Sequence, residues 1–143
     1  MNKQIITVAA ALAFIALAPS SSHAQQVTQA KVPFAFQAGD TMMPAGEYRI
    51  QRALPSNKAV QQIRRTDSSA ATFVLTNATE SREKNVEPKL IFHCYSNECF
   101  LYEIWSGNGE GMKLEVSRRE KEISRTNLEN ELAVISLPLT VRP

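Results

Sequence analysis

Histidine and cysteine are the scarcest reactive residues of this 143-residue chain, with two of each at His23, His93, Cys94 and Cys99. Aspartate is as rare: only Asp40 and Asp67 occur, both in turn contexts. A closed zinc site needs four N, S or O ligands, and His93, Cys94 and Cys99 do not have a familiar metal spacing. Charge of one sign is also missing, with 16 Lys and Arg against 14 Asp and Glu. A chain so near neutrality has no whole-molecule reason to bind nucleic acid or an anionic membrane. Five glycines are too few and too scattered for a phosphate loop, since Gly109 and Gly111 do not join a strand to a helix. No cofactor motif is present. No apolar run after the first two dozen residues is long enough to span a bilayer as a helix.

What is there begins with the N-terminus, MNKQIITVAAALAFIALAPSSSHAQQ. Lys3 is a short positive region, Ile5 to Ala18 an apolar stretch, and Ser22-His23-Ala24 a small-x-small cleavage signal. That order predicts a secretory signal peptide over residues 1–24. Residues 25–143 then form a single β-rich domain, placed in the periplasm or outside the cell. Removal of the leader takes His23 with it, so any Ser–His or Cys–His chemistry must use His93.

Period-two alternation dominates the rest. Val32, Phe34 and Phe36 alternate with smaller or polar residues, and Tyr48 and Ile50 with Glu47, Arg49 and Gln51. A weak strand is expected over 59–65, a β-branched and aromatic run over 71–77, a solvated loop over 79–87, and a strong pair over 89–95 and 99–106. The pair is apolar on both faces, which places it centrally. Gly107 to Gly111 breaks the chain. A last strand is expected over about 133–141, where Ile135, Leu137, Leu139 and Val141 alternate with polar residues or proline. Pro33 and Pro138 cannot donate to a ladder, which predicts edge positions. One helix is expected over about 117–128, opened by a capping box in which Ser117 and Glu120 serve each other's backbone amides. These elements predict a mainly β fold, a single antiparallel β-sandwich or partly open β-barrel of about seven strands with one late α-helix.

The stretch FHCYSNECF carries both cysteines and His93. In an oxidising compartment an even cysteine count suggests a disulfide. With Ser96-Asn97 as a two-residue hairpin loop, Tyr95 pairs with Glu98 and Cys94 faces Cys99 at a non-hydrogen-bonded position. That separation suits a Cys94–Cys99 bridge. The same register places His93 opposite Phe100 and turns it away from the sulfurs, packed among aromatics. No catalytic or metal residue emerges. Candidate recognition residues are Tyr95, Tyr102 and Trp105, which could line a pocket or a glycan platform. Arg118, Lys121 and Arg125 share one helical face and could meet an anionic partner.

Several of these motifs occur together: Val32-Pro33-Phe34, Pro44-Ala45-Gly46-Glu47-Tyr48, Leu75-Thr76-Asn77, Phe92-His93 with Tyr95, Phe100-Leu101 with Ile104-Trp105, and Ser117 with Glu120 and Glu122. In this order they resemble a family of small exported proteins associated with Acidobacteria. The resemblance spans most of the chain after the leader and implies export. It implies no assigned activity, so no catalytic residue is carried over. The family pattern does not typically place cysteine at positions 94 and 99, so the resemblance implies no family-wide redox role for them.

The expected function is that of an exported, non-enzymatic envelope or secreted module for binding or scaffolding. Its partner is a protein, a glycan or a small molecule, and not nucleic acid. The alternative is a carrier of small apolar ligands with a cavity between sheet and helix, and further off stands a hydrolase using Glu103 or His93.

Overall fold

The computed structural model describes residues 27–83, 85–126 and 132–142. They form eleven strands and one helix: β1 (Val27–Val32), β2 (Phe36–Ala38), β3 (Thr41–Met43), β4 (Gly46–Leu54), β5 (Asn57–Arg65), β6 (Ala71–Glu80), β7 (Lys89–Tyr95), β8 (Glu98–Gly107), β9 (Glu110–Leu114), α1 (Arg118–Thr126), β10 (Ala133–Pro138) and β11 (Thr140–Arg142). The predicted signal peptide and the expected helix end at 127–128 lie outside the described residues.

The strands join in the order β10-β7-β8-β9-β6-β5-β4-β1-β11, with β2 and β3 as a small hairpin attached to β8. Neighbours run antiparallel except at one point, where β2 meets β8 in parallel at Gln37 and Phe100. The two ends of this order, β10 and β11, are consecutive in the chain and separated only by Leu139. Leu139 is buried, and its amide donates to the Pro88 carbonyl instead of to a ladder.

Alternation decides which face goes inward. Tyr48 and Ile50 on β4, Ile63 on β5, Val74 on β6 and Leu90, Phe92 and Cys94 on β7 share one apolar cluster. Its centre is aromatic: Phe36 meets Phe92 edge to face at 5.3 Å and Tyr48 at 5.2 Å, and Phe34 meets Phe92 at 5.2 Å. Edge-to-face contact sets the positive ring edge on the negative ring face. Buried hydroxyls inside this cluster are satisfied. Thr28 donates to the Ile50 carbonyl at 3.1 Å, and Tyr48 to that of Pro44. Burial pushes the Tyr48 phenol up from its ordinary pKa.

The mainly β fold with one late helix agrees with the sequence; the strand count does not. Eleven strands replace seven because short elements hide in turn chemistry. The Gly107–Gly111 break is a hairpin: Gly109 takes a φ of 77° and β9 begins at Glu110. Gly111 sits inside β9 because a Cβ there would lie 2.7 Å from the Trp105 ring. The strand expected from Val32 to Phe36 breaks at Pro33, leaving β1 and β2 on either side. β1 is no edge, since β4 and β11 flank it, whereas Pro138 does end the edge strand β10. The last strand splits at Leu139, and β6 runs to Glu80, into the segment expected to be loop.

Candidate functional site

The β7–β8 hairpin takes the expected register: Tyr95 opposite Glu98, Cys94 opposite Cys99, His93 opposite Phe100 and Phe92 opposite Leu101. Cys94 and Cys99 are joined by a disulfide, with their Cα atoms 4.0 Å apart. Ser96 opens the turn at a φ of 53°, the positive value that a two-residue hairpin of the primed type requires. A bulge follows, where the register steps from Phe92–Leu101 to Ile91–Glu103. Tyr102 is the extra residue, and its ring stacks on His93 at 3.7 Å between centroids. The ammonium of Lys113 lies over the same ring at 4.6 Å, a cation–π contact.

Helix α1 covers this outward face. Its N-cap is made by Ser117, whose hydroxyl accepts from the Glu120 amide at 3.1 Å. The other half of the expected capping box is absent. Glu120 turns its carboxylate inward, 3.2 Å from His93 Nδ1, and accepts from the Tyr95 hydroxyl at 3.3 Å. With Glu120 only 3% exposed, a carboxylate in this place requires donors, and these two supply them. Burial first, and Glu120 second, pushes the Tyr95 phenol up from its ordinary pKa. At the helix rim Arg119 forms a two-pronged pair with Glu98, at 2.6 and 3.1 Å. That pairing holds the Glu98 carboxyl below its ordinary range.

Among the sequence candidates, Tyr95 and Tyr102 are therefore linked through His93: Tyr102 stacks on its ring, and Tyr95 shares Glu120 with it. Trp105 stands apart, buried against Gly111 with its indole N–H donating to Glu103 at 2.8 Å. Arg118, Lys121 and Arg125 are exposed on the helix. His93, expected among aromatics alone, also holds a carboxylate. Its only side-chain hydrogen-bond partner among the described residues is Glu120. Among the described residues no three His, Cys, Asp or Glu side chains converge on a metal site. No described helix is long and apolar enough to cross a membrane.

A second outward face, that of β4, β5 and β6, carries no helix among the described residues. Its cross-strand rows are Arg49–Arg64–Ala71, then Gln51–Gln62–Phe73, with Val60 opposite Leu75 beyond them. Phe73 is 63% and Leu75 65% exposed. Both point outward because Thr72, Val74 and Thr76, alternating with them, are buried. The middle row is tied by Gln51 Nε2 donating to Gln62 Oε1 at 3.0 Å. Sequence reasoning recognised ATFVLTN as a strand but missed this face, since both parities of the run are apolar. A signal was available in the outward Arg49 and Gln51 of β4, which mark that face as wet.

No family model, curated protein or solved structure matches the chain.

Proposed function

We propose that this protein is an exported, non-enzymatic β module that acts by binding or scaffolding, and that it binds through the outer face of β4, β5 and β6. The observation that carries this reading is the adjacent pair Phe73 and Leu75, outward on one strand and each more than half exposed. Large apolar side chains grouped on a strand surface are a cost in water that a partner removes. Export is supported by the disulfide at the hairpin tip, which persists in an oxidising compartment. The architecture reads as a partly open barrel, because β10 and β11 at the two ends of the strand order are one stretch of chain.

The carrier reading has less support. The space between α1 and the sheet is taken up by Glu120 and its partners His93 and Tyr95. The hydrolase reading would leave His93 without a nucleophile at hydrogen-bonding distance among the described residues.

Site-specific photo-crosslinking in cells that export the protein tests the binding face. A crosslinker at Gln62 is expected to give a discrete adduct, and one at Asn97 on the hairpin tip none. Equal adducts from both positions, or none at Gln62, would refute the assignment. N-terminal sequencing of the exported form is expected to begin at Gln25.

A further inference from the structure

The geometry points to an anion-binding site at the cationic end of the β4–β5–β6 face, built on Arg49 and Arg64 and suited to a tetrahedral dianion such as sulfate or phosphate, free or as a monoester. It lies on the proposed binding face, beside the row that carries Phe73, but rests on the arginines alone and holds whether or not Phe73 and Leu75 meet a partner.

Arg49 and Arg64 are directly opposite each other on β4 and β5, both exposed and on the same side of the sheet. Like charges at directly opposed positions destabilise a sheet. Nearby charges do not relieve this pair. Glu47, two residues before Arg49, is opposite Lys31 in the ladder register and has no ion pair within 4.0 Å to either arginine. Asp67 is engaged by Arg65, whose Nη2 donates to it at 2.8 Å; its other oxygen lies 2.6 Å from Arg65 Nε but off the line of that N–H. Among the described residues neither Arg49 nor Arg64 has a carboxylate within 4.0 Å. Two positive charges are therefore left unmatched, which a dianion neutralises and a single carboxylate does not.

Arg49 and Arg64 line a pocket of about 340 Å³ that Gln51, Arg65, Thr66 and Ser68 complete. Its donors can be assigned. The Thr66 hydroxyl is spent on the Glu47 carbonyl at 3.3 Å. Ser68 accepts from the Ala70 amide at 3.3 Å, which leaves its hydroxyl hydrogen for a ligand. Planar guanidinium forks are suited to grip paired anionic oxygens, and charge-assisted bonds of that kind are the strong ones.

The test is a titration of the disulfide-bonded protein with sodium sulfate and with phosphate in its dianionic form, followed by NMR at the Arg49 and Arg64 side chains and the Ser68 amide. Ionic strength is held constant with sodium chloride. Saturable shifts at these three residues are expected. Arg49→Gln and Arg64→Gln are each expected to weaken binding about tenfold, while Arg82→Gln in the loop after β6 leaves it unchanged. Without anion, both variants should melt no lower than the parent, because they remove a repulsion; this separates lost binding from lost folding. Glucose 6-phosphate distinguishes the sources. Binding at least as tight as inorganic phosphate marks an ester as the ligand, and binding of the inorganic ions alone marks the free ion. The proposal is overturned by equal shifts from chloride alone, by acetate saturating as tightly as sulfate, or by Arg49→Gln and Arg64→Gln binding like the parent.

Discussion

Two outward faces of one strand network are treated in opposite ways. Over β7 and β8 a nine-residue helix lies on the sheet, and its inward polar group is matched to donors below: Glu120 to His93 and Tyr95. Over β4, β5 and β6 no described element lies on the sheet, and beside the tied pair Gln51 and Gln62 the outward residues are less well matched. Two arginines oppose one another, and a phenylalanine and a leucine face water. Where a surface only has to be stable, polar groups are paired and aromatics are stacked. A surface left with unpaired charge and bare apolar side chains does not follow that rule, and binding is the requirement we propose for it.

The contrast can be broken most strongly from the covered side. Glu120→Ala leaves His93 and Tyr95 without their shared acceptor and is expected to cost about 3 kcal/mol in urea unfolding. Hydrogen exchange should place the loss in α1 and the β7–β8 hairpin, and a cycle with Tyr95→Phe should show coupling between the two positions. Replacing both cysteines by serine removes a bridge closing a very short loop, for an expected loss of about 2 kcal/mol. Comparison of oxidised and reduced parent in the same assay checks it.

A smaller effect is expected from the rim pair, and it is visible only as a pH dependence. Arg119 holds Glu98 below its ordinary pKa, so this pair contributes stability above the carboxylate range, and the contribution is lost as pH falls through the lowered value. Arg119→Gln should flatten the acid limb of a stability–pH curve. At the other extreme the raised Tyr95 contributes until pH climbs through its elevated value, so Tyr95→Phe should flatten the alkaline limb. Smallest of all is the bare face. Phe73→Ser with Leu75→Ser is expected to move stability by no more than about 0.5 kcal/mol, measured by thermal melting. A loss of several times that would show that these side chains pack, and the contrast between the faces would collapse.

Local pattern carried the hairpin from sequence to structure. Cys94 faces Cys99 because a two-residue turn fixes register, and register fixes which side chains share a face. The N-cap at Ser117 was legible for the same reason, since it spans three residues. Glu120 was legible as a capping residue and mistaken in direction, because its partners lie 25 and 27 residues away and no periodicity links them. β9 was hidden by two glycines whose meaning is tertiary: one turns the chain, the other makes room for Trp105. The outward pair on β6 was ambiguous in principle. Thr72-Phe73-Val74-Leu75-Thr76 offers two faces that a core could accept, and only the neighbouring strands choose between them.

The placing of β10 and β11 bears on when this protein can fold. Val27 pairs with Arg142, almost the full described chain away, and β7 finds its outer neighbour only in residues 133–138. Contacts of such long range form late, after loop closure has been met. A chain emerging from the ribosome therefore cannot complete either flank until residues 133–142 have been made. The order of synthesis thus bears on the order of assembly: the inner strands β4 to β9 can pair first, and the two flanks close last.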